Sequence, residues 1–408
     1  MNKKKRLKIL YYAFSCDPNY GSDEGIGWRW PYYMSKYHEV HVLVRKDRRR
    51  GIEVYCEKHD IHDIHFHYCD IPDCVNFYYK LGKGFLAYQF LWQFPAYRCV
   101  KNLHGKHQFN IIHHVSTNDF RLIGYIYRIK NVRYFLGPIG GAQRTPEGLN
   151  YYARKHKKEE IFRGLINYLF SNTRSYIRAL NTAEHVFVSN NETLEYLSPK
   201  IKNKNKCSVF TEIGYDDQLL LEDMGEHSKD DDVTHFMWAG RVVWRKGLEL
   251  LIDAICEIST SYQFVVHICG DGDIDTYRSY AKLKGVEHLI LFHGKLNQDE
   301  LRRIYQTSNA LVFPSLRETT GSVIIEAMAQ GLPVICIKQG GGALVVTDES
   351  GFLIDANGKE EYVKNFRLAM EACIVNKQKL ETKSKKAKQR IEEHYLWSAK
   401  VEFMNRIY

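Results

Sequence analysis

Residues 236–255, FMWAGRVVWRKGLELLIDAI, read as three pieces in close succession: an apolar strand, a turn carrying Arg241 and Lys246, and an amphipathic helix opened by Gly247. A strand that gives way to a helix within a few residues is the start of a βαβ unit. Two cations just past the strand end at Gly240, beside the free backbone N–H groups of a helix start, suit a diphosphate. The same residues would serve equally as an exposed basic turn.

The pattern extends in both directions. LKILYYAF, EVHVLV, IHFHY, NIIHHV, RYFLG and HVFVSN are strand-like runs in the first half, and THFMWAG, QFVVHICG, LILFHG, NALVFPS and LPVICI in the second. Helical patterns separate them. The series occurs twice, which predicts an α/β chain of two Rossmann-like doubly wound parallel-sheet domains. At 408 residues the chain also exceeds what one hydrophobic core normally supports. A Gly turn and the charged run 229–232 within EIGYDDQLLLEDMGEHSKDDDVTH mark the break. The expected domains are 1–212, with the aromatic helix 395–408 packing back on it, and 213–394. Ligands of doubly wound sheets bind at the carboxyl ends of the strands, so two such domains facing each other would form a central cleft.

Composition narrows the class. The formal charge of +10 favours anionic partners without naming one. Ten cysteines form no CxxC pair and no Cys/His zinc spacing, which points to free thiols in a reducing cytoplasm. The basic start MNKKKRLKILYYAF runs at once into polar SCDPN, so it reads as a first strand and not as a signal peptide. No run has the roughly 20 apolar residues of a membrane helix.

SLRETTGSVIIEAMAQGLPV, residues 315–334, places Glu318 before an apolar helix and Glu326 inside it. A buried, unpaired carboxylate costs several kcal/mol, so Glu326 requires a partner. Carboxylates accept paired hydrogen bonds from vicinal hydroxyls, as on a ribose. Glu326 therefore suits a nucleotide ribose and Glu318 a sugar hydroxyl, while Thr320, Gly321 and Ser322 open a helix whose N–H groups can meet a phosphate.

GRVVWRKG, ICGDGD, LFHGKL, FPSLRETTGSVIIEAMAQGLPVI and GGGALVVTDESGFLI together resemble the family-4 (group 1) retaining glycosyltransferases of the GT-B class. The resemblance covers nearly all of the second domain. It implies that Arg241 and Lys246 grip the donor diphosphate, Glu326 binds the ribose, and Glu318 reads the donor sugar and stabilises the reacting centre. Backbone at Gly240, Gly272 and Leu296 would line the donor pocket. One departure stands out: relatives often place a Glu shortly after the glycine pair, where this chain has Leu344.

The first half resembles the class less specifically. NYGSDEGIGWRW supplies a Gly-rich loop (Gly21, Gly25, Gly27) of the kind that brings backbone close to donor phosphate or acceptor. It lacks the GxGxxG spacing of dinucleotide redox enzymes. NIIHHVST carries His113 and His114, of which His114 is the preferred sugar-contacting residue by the resemblance; a satisfied structural histidine is the alternative. LGPIGGAQ (Gly140, Gly141) would border the acceptor, or form a plain tight turn.

Asp271 and Asp273 have the DxD spacing of metal-dependent transferases, but the resembling family uses a turn here, and positive charge is already supplied. No metal or other cofactor is expected. Residues 80–101, with Phe85, Tyr88 and Trp92 on one helical face among Lys80, Lys83, Arg98 and Lys101, read either as core or as a peripheral membrane contact.

The expected protein is a cytoplasmic enzyme, peripheral on the inner membrane face if that contact forms. It would move a sugar from a nucleotide-diphosphate donor to an oligosaccharide or lipid-linked acceptor in cell-surface polysaccharide biosynthesis. A sugar-nucleotide epimerase and a catalytically silent scaffold are the alternatives. Nucleic acid is not an expected partner, because the basic residues are spread along the chain and no recognition motif is present.

Overall fold

The structure, a computed structural model, describes residues 6–71, 84–222 and 233–408. The charged run 229–232, Lys80 and Lys83 lie outside the described residues. The chain divides into two compact units.

The first unit comprises residues 1–142, 162–213 and 397–408. Its sheet is built from β1 (Lys8–Ala13), β2 (Glu39–Arg45), β3 (Ile64–Cys69), β4 (Ile111–Ser116), β5 (Arg133–Ile139), β6 (His185–Val188) and β7 (Cys207–Val209), all parallel, in the order β3-β2-β1-β4-β5-β6-β7. Ile9, Leu10, Tyr11, Ile111 and Ile112 are wholly buried, because helices cover both faces. That is why these strands read as continuous apolar runs instead of alternating ones. Trp397, at the start of the last helix (Trp397–Ile407), meets Trp30 of the first helix edge-on at 5.3 Å.

The second unit comprises residues 143–161 and 214–396. Its sheet contains β8 (Thr234–Ala239), β9 (Phe264–Cys269), β10 (Ile290–Gly294), β11 (Ala310–Phe313), β12 (Val334–Ile337) and β13 (Gly351–Ile354), parallel, in the order β10-β9-β8-β11-β12-β13. β7 is three residues long and half-buried, and the two central residues of β13 are half-buried, so neither stands out as a buried apolar run as the four-residue β6, β11 and β12 do.

In both sheets the order reverses beside the first strand, between β1 and β4 and between β8 and β11. The carboxyl ends of those strands are the topological switch points where such sheets bind ligands.

A single division near residue 212 does not describe these units, since 143–161 clusters with the second. The cause is burial: Leu149 and Tyr152 belong to the second unit's core. The Tyr152 hydroxyl donates to Asp253 Oδ2 at 2.8 Å. His156 stacks on Trp244 with ring centroids 4.6 Å apart.

Candidate functional site

The turn after β8 starts with Gly240 and Arg241. Arg241 is exposed and has no ion-pair partner among the described residues. One 3-10 turn, Trp244–Lys246, then leads through Gly247 into the helix Leu248–Cys256. Gly247 has φ +72°, and a Cβ there would lie 1.9 Å from the Pro314 carbonyl oxygen. Glycine is what lets the turn after β8 close against the turn after β11. Lys246 Nζ, above the Phe313 ring at 5.1 Å, donates to Glu318 Oε2, and Arg245 Nη1 stands 4.0 Å from the same oxygen. The predicted diphosphate cation and the predicted sugar carboxylate therefore form an ion pair.

The helix Ser322–Ala329 begins at Gly321, and no side chain caps it. Its first backbone N–H groups thus lack the usual Ser, Thr or Asp acceptor. Thr320 is buried and Ser322 half-buried. Glu326 is half-buried one turn in, and its Oε2 accepts a hydrogen bond of 3.1 Å from the buried Tyr305 hydroxyl. Burial, and then the Glu326 carboxylate, push the Tyr305 phenol well above its ordinary pKa, so it stays a donor. Tyr305 lies on Gln298–Thr307, a helix whose polarity gave no hint of this role.

Three further supports of the Glu318 loop escaped the sequence reading. A Cβ on Gly341 would fall 2.1 Å from Thr320 Cα, so the glycine run packs backbone to backbone against the loop. Gln143 Nε2 donates to Thr319 Oγ1 at 3.0 Å, and Arg317 pairs with Glu160. Both partners come from the 143–161 segment, more than 150 residues away in the chain, beyond the reach of any local pattern. Gly272 is exposed in the turn after β9, bridged to Val242, and Leu296 is half-buried just past β10. Asp271 and Asp273 are exposed in that same turn, and backbone bonds tie both to Val242.

At the switch point of the first unit the residues are of another kind. The helix Ser22–Met34 starts directly after Gly21, again without a side-chain cap. Gly25 and Gly27 therefore lie inside the helix and not in a glycine-rich loop. They serve packing: a Cβ on Gly27 would sit 1.8 Å from the Ser15 carbonyl oxygen. His114 is buried, with Nδ1–H donating to the Ile123 carbonyl at 3.2 Å and its ring edge-on to Tyr12. His113 is buried too; its Nε2–H donates to the Gly137 carbonyl at 2.7 Å and its Nδ1 accepts from the Tyr408 hydroxyl. Burial lowers His113 to about 3 and His114 to about 4. The structure thus places His114 within the core as a satisfied histidine, and not on a sugar-facing surface. Gly140 is buried, its N–H given to the Asn118 carbonyl at 2.6 Å, and Gly141 accepts from Arg163 through its own carbonyl.

The proposed interfacial face is also revised. In the helix Phe85–His107, Tyr88 and Trp92 point inward: Trp92 Nε1 donates to the Cys69 carbonyl at 2.9 Å and Tyr88 to Asp70 at 2.7 Å. They are core, as an aromatic stripe at helical spacing usually is. The exposed apolar side chains are Leu86, Phe90, Leu91 and Phe94, along with Phe85. Phe90 touches Phe170 of the helix Lys157–Ser171 edge-on at 6.1 Å, and that helix exposes Phe162, Leu165, Tyr168 and Leu169.

Two Rossmann-like parallel sheets, each reversing its strand order beside its first strand, are the architecture of the GT-B class. A solved structure of Anabaena HepE in complex with UDP-glucose matches 98% of this chain and 99% of that chain with a TM-score of 0.63 and 18% identity. Residues 221–390 match the family described as glycosyl transferases group 1. An uncharacterized glycosyltransferase of Methanocaldococcus jannaschii is 34% identical over 136 residues, covering 33% of this chain and 33% of that protein. The lipopolysaccharide core biosynthesis glycosyltransferase LpsE of Rhizobium meliloti is 30% identical over 159 residues, covering 38% of this chain and 44% of that protein. These matches span about a third to less than half of the relatives' own length.

Proposed function

We propose that the protein is a retaining glycosyltransferase that moves a sugar from a nucleotide-diphosphate donor to a carbohydrate acceptor. One observation carries this reading: Arg241, Lys246, Glu318 and the uncapped helix start at Gly321 gather at the switch point of a sheet within the stretch that matches the group 1 family. Lys246 and Arg241 hold the diphosphate, helped by the N–H groups at Gly321 and Ser322. Glu326, held by Tyr305, accepts from the ribose hydroxyls, and backbone at Gly272 and Leu296 borders the base. Glu318 then exchanges part of its bond with Lys246 for a donor-sugar hydroxyl.

In the step itself the bond from the anomeric carbon to the diphosphate oxygen breaks as the acceptor oxygen bonds from the same face. The departing diphosphate oxygen takes the acceptor proton. No side-chain nucleophile or metal is assigned to this step; the cations stabilise the leaving charge. The UDP-glucose complex of HepE supports a sugar nucleotide as donor. The match to LpsE supports a cell-surface polysaccharide or lipid-linked oligosaccharide as acceptor.

No described helix is long and apolar enough to cross a membrane. The apolar face of Phe90, Phe94, Phe162 and Tyr168 supports peripheral contact with an anionic inner-membrane surface, since Arg98, Lys101, Arg174 and Arg178 are exposed on the same two helices and the one that follows them.

The test is a panel of UDP-, GDP-, ADP- and dTDP-sugars, with and without EDTA, read by thermal shift and slow donor hydrolysis. Stabilisation by one sugar nucleotide that survives EDTA and vanishes in Glu326→Ala and Lys246→Ala is the expected result. Equal stabilisation of both variants would overturn the donor site.

A further inference from the structure

Three histidines meet at the edge of the first unit's sheet, away from the carboxyl-end turns described above. His41 lies on β2, His67 on β3, and His107 is the last residue of the helix Phe85–His107. One ring nitrogen from each lies within 4.8 Å of the others. Positions 41, 67 and 107 show no metal-ligand spacing in the sequence; parallel pairing of β2 with β3 and the return of the helix bring them together.

Their hydrogen bonds fix which atoms face inward. His41 Nε2 donates to Glu39 Oε1 at 3.2 Å, which leaves the Nδ1 lone pair directed at His67 Nε2, 2.9 Å away. A carboxylate on the far nitrogen of an imidazole is the arrangement that orients metal-binding histidines and raises their basicity. The carbonyl end of the helix behind His107 also favours a cation.

A second histidine row, His235, His267 and His293 on β8, β9 and β10, provides the contrast. His267 gives one nitrogen to each neighbour, at 2.9 Å on both sides, so the row is a chain with no common point.

We infer that His41, His67 and His107 form a binding site for a divalent late transition metal, zinc above all, with solvent as the fourth ligand. Imidazole nitrogen suits zinc, and tetrahedral coordination at about 2.0–2.1 Å would set the nitrogens about 3.4 Å apart. His41 and His67 then open slightly and His107 closes in. The metal ties β2, β3 and a helix end together, and so acts on stability and not on the transfer step.

The test uses the full chain without a histidine tag, stripped with chelator and titrated with Zn2+ and Co2+. The expected results are one metal per chain, a Co2+ visible spectrum of tetrahedral intensity, and a midpoint raised by roughly 5 °C at hundredfold excess over Kd. His107→Ala and His67→Ala should each lose at least tenfold in affinity while keeping the wild-type metal-free midpoint. Substoichiometric uptake, a weak octahedral Co2+ spectrum, or unchanged affinity in both variants would overturn the site. If either variant fails to fold, the wild-type stoichiometry and Co2+ spectrum decide.

Discussion

The two switch points share a topology and differ in chemistry. At β8 and β11 the turns carry Arg241, Lys246 and Glu318, charged and at least partly open to solvent. Beside β1, the strand β4 carries His113 and His114 at its middle, neutral and buried. One sheet presents two cations and a carboxylate on its turns; the other keeps its two histidines satisfied inside the core. A doubly wound sheet thus supplies a location, and the residues on its turns set the chemistry found there.

The sharpest test of this contrast pairs Lys246→Ala with His114→Gln. Loss of one preorganised cation should lower kcat by about a hundredfold, on the order of 3 kcal/mol. His114→Gln should lower thermal stability and leave kcat/KM within about threefold. A hundredfold loss from His114→Gln at an unchanged melting midpoint would break the comparison.

Gly341→Ala probes the backing of the charged turn. The new Cβ meets Thr320 Cα, so the loop must shift, at about 1–3 kcal/mol of stability and with weaker donor binding, read by denaturant titration and by KM. Unaltered stability would mean that the loop yields freely. Tyr305→Phe is a smaller change: Glu326 loses one hydrogen bond, worth about 1 kcal/mol, and donor affinity should fall roughly fivefold in calorimetry.

A pH-dependent effect, separate from the donor turns, concerns Asp23 in the first turn of the helix after Gly21. Burial, and then Glu24, Glu212 and Asp119, raise this carboxyl from 3.8 to about 7. A raised folded-state pKa gives stability that is present below 3.8 and lost as the pH rises through about 7. Asp23→Asn should therefore flatten the decline in melting midpoint across that window, and an unchanged slope would remove Asp23 as its source.

The legibility of the sequence follows these physical divisions. Buried parallel strands are apolar runs, so β1, β4, β8 and β9 were readable, and even four-residue β6, β11 and β12, whereas the half-buried β7 and β13 were not. Lys246 on one turn, and Glu318 with Gly321 on another, were readable as candidates because each turn is a short contiguous stretch, and the fold brings Lys246 and Glu318 together. Gln143, Glu160 and Tyr305 were not, because they act on the site from other elements. Tyr88 and Trp92 misled because a periodic aromatic stripe looks the same whether lipid or protein covers it, and only the fold shows that Phe90 and Phe94 are outside. The histidine trio was invisible because its three positions converge only after two strands pair and a helix returns.

The placement of residues 143–161 in the second unit has a consequence for how this chain can be made and rearranged. A ribosome delivers Leu149 and Tyr152 well before the strands that bury them, so the second unit must hold an unfinished core until the later sequence emerges. The stretch 221–390, which carries the family signature, is accordingly not an exchangeable cassette. A chimera that grafts it onto a relative's first half would inherit a core with someone else's plug, and recombination should succeed only when both pieces travel together.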